Sequence, residues 1–476
     1  MPHRRLRLHV TDAPQAKELR LGFARIRREL EVPDAFPADV EAAAAHSARN
    51  PVLPDEDLTG IPMLTIDPPG SMDLDQAMHL ARHGDGYRVL YAIADLPAFV
   101  AAGDPVDLEA HRRVATLYSP DLRTPLHPTV LGEGAASLLP GEVRPALVWQ
   151  LDLDATGDVL DASVRRVRVR SVDRLDYAEV QRRVDSGTAD ERLQLLAEVG
   201  PLREALERAR GGVRLAVAEQ EVEPTRDGWR LVFRTTLPVE RWNEQISLMT
   251  GMAAARIMLD AGVGVLRTLP PAPDSAVQRL HRVARALDIP WPHGMSHAEL
   301  LAGLDRGQPS HQALLQEATA LLRGAGYAAF DGTPPAQPGH AAVAAPYAHV
   351  TAPLRRLVDR FAEEVCVSAC ADQTIPDWVR SALPVLPEEM AASDRRAGDL
   401  ERECLNLVEA VLLRDSVGKT FDAVVVDANH DGGGTVQLRE PAVRGRCEGR
   451  LPLGELVSVR LEVADVDQRL VRFTLA

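Results

Sequence analysis

The chain has 476 residues, 45% hydrophobic and 26% charged, and its 69 Asp and Glu outweigh 54 Lys and Arg to give a formal net charge of −15. This is a globular composition at a length for roughly two to four domains. The acidic balance excludes a protein that coats nucleic acid over its whole surface, but not an enzyme that draws nucleic acid into one locally basic channel.

No apolar run reaches the ~18 residues of a membrane span, so no membrane association is expected. The opening Met1-Pro-His-Arg-Arg-Leu-Arg lacks a following apolar stretch, and export is not expected either. Cys366, Cys370, Cys404 and Cys447 form no CxxC pair and fit a reducing cytoplasm. Cys366 and Cys370, four apart in an apolar stretch, read as core thiols.

In chain order, Leu6 to Val10 is a strand-like run. Leu19, Leu21, Phe23, Ile26 and Leu30, with Arg20, Arg25, Arg27 and Arg28 between them, predict an amphipathic helix that Pro33 and Pro37 end. Residues 36–46 predict a second helix, and 51–62 an extended, Pro-rich link. From Leu64 to about Asp154 the pattern is mostly strand, clearest at Met63–Ile66, at Tyr87–Ala94 after the turn Gly84-Asp85-Gly86, and at Val148–Leu153. An Arg-rich strand over 163–171 precedes two helices between 174 and 211. A short strand at Arg230–Phe233 leads to a long helix from Pro238 to about Ala261. Helices dominate 275–327, and 331–346 reads as a Pro-, Gly- and Ala-rich loop. Further helices are expected from near Pro353 past Cys370 and from Pro387 to Leu413. Finally, Phe421–Val426, Gly434–Leu438, Leu456–Leu461 and Leu470–Leu475, with turns such as Asp431-Gly432-Gly433, predict a small closed β-barrel of OB-fold type.

Two stretches carry chemistry. Thr65-Ile-Asp67-Pro-Pro-Gly-Ser-Met-Asp73-Leu-Asp75-Gln76 leaves a buried strand, turns at Pro68, Pro69 and Gly70, and places Asp73 and Asp75 on one side of an extended chain. Carboxylates gathered this closely repel one another unless a cation neutralises them, and all-oxygen ligands favour a hard ion, Mg²⁺ or Mn²⁺. Such an ion suits phosphoryl chemistry. The spacing alone also fits a solvated turn; an EF-hand it does not fit, lacking the glycine and closing glutamate. The second stretch is Tyr347-Ala-His349-Val-Thr351-Ala-Pro353-Leu-Arg355-Arg356-Leu-Val-Asp359-Arg360. Pro353 suits the first turn of a helix with Thr351 or Ala352 near its cap, where an Arg can fork onto phosphate. The plainer reading pairs Arg355 with Asp359 at i, i+4. Arg355, Arg356 and Arg360, like Arg165, Arg166, Arg168 and Arg170, form a basic cluster that reads equally as a solvated face.

Together these stretches are similar to the signatures of the RNase II/RNase R family of exoribonucleases. The family forms T-I-D-x₅-D-x-D-D-A and Y-x-H-F-T-S-P-I-R-R-Y-x-D stand against T-I-D-P-P-G-S-M-D-L-D-Q-A and Y-A-H-V-T-A-P-L-R-R-L-V-D here. Tyr91–Asp95, Leu117–Pro120, Ser137–Pro140 with Arg144, Asn243-Glu244, Val265–Arg267 with Pro271–Pro273, and Arg395–Ala397 resemble further family segments, in order, from about residue 36 to the C-terminus. The resemblance implies an α+β protein: a large mixed RNB catalytic domain over 61–414 and a small S1-type OB-fold over 415–476. Residues 1–60 would form a short, mostly helical unit, of a size for a helix-turn-helix, in place of the family's cold-shock domains.

The implied activity is processive 3′-to-5′ hydrolysis of single-stranded RNA to nucleoside 5′-monophosphates with Mg²⁺ or Mn²⁺, by a cytoplasmic monomer. Asp67, Asp73 and Asp75 would be the catalytic and metal-holding carboxylates, with Gln76 at the fourth metal position, and Arg355 the cation at the scissile phosphate. Tyr118 would stack on a base, Glu244 hold the terminal nucleotide, and Tyr347, His349, Thr351 and Arg356 bind substrate along the same wall. Gln76 departs from the family's acidic residue and lowers the expected affinity for a second ion. A catalytically weakened RNA-binding protein is therefore the alternative; a DNA-directed nuclease is a third. The terminal barrel, with Phe421 and Phe473 its only aromatics, would grip backbone more than bases.

Overall fold

The computed structural model describes residues 14–215, 219–225, 228–234, 236–305, 308–428, 432–438, 441 and 443–476. The strand expected at Leu6–Val10 and Asp431 of the expected turn Asp431-Gly432-Gly433 lie outside them.

The strand-rich first third closes into a five-stranded barrel of Met63–Asp67, Gln76–His83, Gly86–Ala94, Val143–Leu153 and Val159–Asp176. Neighbours run antiparallel, and closure is made by parallel pairing of the first and last strands, with Asp67 opposite Asp176. The continuous apolar run Tyr87–Ala94 has a physical reason: both of its faces are buried. Val89, Tyr91 and Ile93 join one core with Trp149, while Leu90, Ala92 and Ala94 join another with Val148 and Val167.

The first of these cores continues into two helices, Pro238–Ala261 and Leu357–Cys370. The latter is buried from Leu357 through Ser368; Asp359, Arg360 and Glu364 find partners within the protein, while the Glu363 carboxyl has no hydrogen-bond partner and burial pushes it well above its usual range. Arg360 pairs with Asp107 and donates to the Val100 carbonyl at 2.9 Å, and Glu364 accepts from Arg166 at 2.5 Å. Cys366 is buried as expected, whereas Cys370, at the helix end, is exposed.

This helix starts later than the sequence suggests. It begins at Leu357, with Arg356 in an extended conformation before it, and residues 353–355 form a turn. The cause is Asp359, whose carboxylate accepts from the Ala352 N–H at 2.7 Å and from two Arg356 nitrogens at 2.8 Å each. It draws the turn back over the helix end, and neither Thr351 nor Ala352 caps the helix, whose N-cap position is Arg356 with no side-chain cap. Arg355 does not pair with Asp359; its neighbour does.

Residues 326–331, expected to follow on from helices, form a strand paired with Val263–Thr268. The loop over 331–346 carries the two-residue strands Gly339–His340 and Ala345–Pro346.

The C-terminal segment is a second closed barrel of five strands, Thr420–Ala428, Gly434–Leu438, Arg444–Glu448, Leu456–Asp465 and Leu470–Leu475. The strand missed in the sequence, Arg444–Glu448, turns only Gly445 and Cys447 inward, so it lacks an apolar alternation. Helix Leu386–Leu413 shares this barrel's core, and helix Pro14–Glu29 packs there through Leu19, Phe23 and Ile26. Helix Ala38–Arg49 instead places Val40 and Ala44 in the outer core of the first barrel. Among the described residues up to 60, the two helices thus belong to different cores.

Candidate active site

Asp67 ends the first strand of the first barrel and Gln76 begins the second; Asp73 and Asp75 lie in the connection between them. That loop is held from below. Ser137 Oγ accepts from the Leu74 N–H at 2.9 Å and donates to the Met72 carbonyl at 2.6 Å, and the Leu138 N–H donates to the Leu74 carbonyl at 3.0 Å. Arg144 in turn donates to the carbonyls of Ser137 and Gly134. The Ser137–Arg144 segment is therefore the cradle of the acidic loop.

The turn at 353–356 approaches from the opposite side. Asp75 accepts from the Leu354 N–H at 2.8 Å and from Arg355 Nε at 3.3 Å. The same turn is stitched to the chain just before Tyr118, through Thr116 N–H to the Arg355 carbonyl at 3.0 Å and Leu357 N–H to the Val114 carbonyl at 2.9 Å. Asp75, Arg355 and Tyr118 are thereby fixed relative to one another.

These groups line a cavity of about 770 Å³. Asp67, Asp73, Asp75, Gln76, Arg355, Arg356, Tyr118, Glu244, Tyr347 and His349 all face it, so nearly every residue singled out in the sequence meets here. Thr351 does not line it; its hydroxyl bonds Ser247 Oγ at 2.7 Å. Gln76 is engaged at both amide ends, accepting from Tyr91 Oη at 2.7 Å and donating to the Thr351 carbonyl. Arg356 is clamped by Asp359. Tyr347 packs edge-on to His349 with ring centroids 5.5 Å apart, and His349 Nδ1 bonds Tyr327 Oη at 2.8 Å. Burial and the nearby Arg356 and Arg267 hold His349 well below its usual range, so the ring is neutral. Glu244 pairs with Arg214 at 2.6 Å, and Arg214 also meets Glu207 at 3.3 Å.

Sequence reasoning missed Arg123, which forms ion pairs with both Asp73 and Glu133. It missed Arg214, Glu207 and Tyr327 as well. None lies in the stretches that carry the spacing signal, and only the fold brings them to the cavity.

Burial, with the Asp73 carboxylate second, pushes the Asp67 carboxyl up to about 7. Burial pushes Asp75 up to about 8, against the pull of Arg355 and the Leu354 N–H. The donor set is all oxygen, as a hard divalent ion needs, and Asp67 Oδ2 is buried with no hydrogen-bond partner. An orphaned carboxylate oxygen among repelling acids fits a cation in kind. Among the described residues, no three His, Cys, Asp or Glu side chains converge on one point as they stand. Arg123 and Arg355 hold two of the three carboxylates.

The fold and the site define a class: a two-barrel α+β protein with an acidic, arginine-countered pocket at the mouth of the first barrel. The RNB domain matches residues 55–369, and the RNase II-type exonuclease C-terminal S1 domain matches 419–476. The chain belongs to the RNB-domain family. It is 23% identical to Ribonuclease R 1 of Lactococcus lactis over 88% of this chain and 54% of that protein, so it spans about half the length of that relative. Its fold is similar to that of Mycoplasma genitalium RNase R, solved with ribose-methylated single-stranded RNA, at a TM-score of 0.86, 18% identity and coverage of 97% of this chain and 78% of the other. It is also similar to yeast Ssd1, described as a pseudonuclease, at a TM-score of 0.70, 16% identity and coverage of 94% and 57%. At such identities the likeness to the solved structures is one of fold.

Among the described residues no helix is long and apolar enough to cross a membrane.

Proposed function

We propose that the protein is a 3′-to-5′ exoribonuclease that removes nucleoside 5′-monophosphates processively from single-stranded RNA, with Mg²⁺ or Mn²⁺ held by Asp67, Asp73 and Asp75. The observation that carries this reading is the buried, unpartnered Oδ2 of Asp67 beside two further carboxylates in a cavity that also presents Arg355. Family membership supports it, as do the name of the L. lactis relative and the single-stranded RNA bound by the M. genitalium protein.

When bound, the ion supplies charge neutralisation on the attacking and leaving oxygens. Arg355, held by Asp75 through Nε, stabilises the negative charge that grows on the scissile phosphate. Tyr118 offers an aromatic face to a base of any identity. Glu244, paired with Arg214 beside the cavity, accepts from a ribose 2′-hydroxyl, a contact that a DNA end cannot make.

One observation favours a second reading, an RNA-binding protein with weakened catalysis. Both amide ends of Gln76 are already engaged, so this position brings neither charge nor an uncommitted ligand to a second ion.

The two readings separate on 5′-labelled single-stranded RNA and DNA of equal sequence, with Mg²⁺, Mn²⁺ or chelator. The enzyme shortens only the RNA, from its 3′ end, and chelator or Asp75→Asn abolishes this. RNA retained on the protein without shortening under any metal replaces the enzyme with the binder.

A further inference from the structure

Tyr118 and Arg123 are cross-strand partners in the two-residue ladder Leu117–Tyr118/Arg123–Thr124, so they stand side by side on one face. Both line the cavity. The Arg123 side chain is three-quarters buried, and its guanidinium bridges Asp73 in the acidic loop and Glu133 in the short helical segment Leu131–Ala135. A brace needing only to fix that segment would be complete with Glu133. The additional reach to Asp73 places a fixed positive charge on one of the three acids, while Asp67 Oδ2 is left without a partner.

We propose that Arg123 is a charge-balancing and substrate-positioning residue of this site. In the RNA-free protein it occupies Asp73 and competes there with the divalent ion. When RNA enters, it turns to the phosphate beside the base stacked on Tyr118, with Glu133 as its pivot, and so releases Asp73. The site thereby couples its full set of acidic ligands to the presence of substrate. The proposal rests on the exoribonuclease reading and adds to it a residue outside the stretches that carry the resemblance.

The test needs no turnover. Mn²⁺ affinity is read from the electron paramagnetic resonance of unbound Mn²⁺. RNA affinity is read by fluorescence anisotropy of a single strand of about ten nucleotides in chelator, at several salt concentrations. Removing a charge-assisted competitor for Asp73 by Arg123→Gln is expected to tighten Mn²⁺ binding about tenfold. The same variant is expected to weaken metal-free RNA binding several-fold and to make its salt dependence shallower by about 0.7 in log–log slope, the loss of one phosphate contact. Arg123→Lys should fall between wild type and Arg123→Gln on both measures.

Glu133→Gln keeps the guanidinium but leaves it to Asp73 alone, and is expected to loosen Mn²⁺ binding. A structural brace would move both variants in the same direction. Unchanged Mn²⁺ and RNA affinity in Arg123→Gln, or weaker Mn²⁺ binding in it, overturns the proposal. If Arg123→Gln does not fold, tighter or equal Mn²⁺ binding by Glu133→Gln overturns it instead. A wild-type protein that binds no Mn²⁺ sinks the metal-dependent reading itself. A wild type that binds Mn²⁺ and degrades RNA beside an indifferent Arg123→Gln sinks only this inference.

Discussion

Gln76 shows how one side chain can be structural in a reactive place. Its amide spans from Tyr91, in the floor of the first barrel, to the Thr351 carbonyl in the opposing turn. Aspartate is too short to span both and cannot donate to a carbonyl. Gln76→Asp is therefore expected to cost about 1–3 kcal/mol in metal-free protein, seen as a lower urea midpoint; an unchanged midpoint would show that the bridge is idle. Asp67 and Asp75 set a pH dependence. Their carboxyls rise from an ordinary 3.8 to about 7 and about 8 on burial. The folded state thus binds these protons more tightly than the unfolded chain, so their stabilising share is present below about pH 4 and lost as pH rises toward 8. A divalent ion needs the deprotonated form. Its gain in melting temperature should be larger at pH 8 than at pH 6, and equal gains in a thermal-shift experiment would contradict the assignment. The acidic residues were legible from their spacing. Arg123 was not, because its pairing with Asp73 depends on a two-residue ladder that leaves no periodicity.

At the scale of elements, the wall opposite the acids depends on close approach. Gly251, within helix Pro238–Ala261, lies where an added Cβ would meet the Tyr347 ring at 2.2 Å and the Ala348 carbonyl at 2.5 Å. Gly251→Ala forces Tyr347 out of place, at an expected cost of about 1–3 kcal/mol and with RNA affinity reduced alongside. A variant with lower stability and wild-type RNA affinity would remove Tyr347 from the binding wall. Ser137 is the corresponding device on the acid side. Ser137→Ala leaves the Leu74 N–H unpaired in the interior, and about 1–3 kcal/mol should be lost in chemical denaturation. Most strands and helices were readable from period and punctuation. The start of helix Leu357–Cys370 was not, because the Asp359 side chain holds residues 352–356 in a turn ahead of it. Proline at a helix start and proline in a preceding turn look alike in sequence.

Across the whole molecule, the arginine clusters resolve into ion pairs, with buried acids at Arg166 and surface-exposed ones at Arg165 and Arg168. Arg165 meets Glu56, Arg166 meets Asp95 and Glu364, and Arg168 meets Asp57. That strand joins layers together, and what looked in sequence like a basic face is largely neutralised. The arginines at the cavity are Arg123, Arg214, Arg267, Arg355 and Arg356, each matched to an acid. The C-terminal barrel could be anticipated from its strand runs; of the first barrel only the strands could, because its closure depends on a parallel pairing between residues about a hundred positions apart, which local pattern does not encode. On the proposed function, Asp67, Asp73 and Asp75 with Arg355 release mononucleotides from an RNA 3′ end. Mass spectrometry of the products from a single-stranded RNA tests it most directly. Nucleoside 5′-monophosphates from the wild type with Mg²⁺ or Mn²⁺, and none from Asp75→Asn, are the result expected; intact RNA, internal fragments, or products carrying a 3′-phosphate would contradict it.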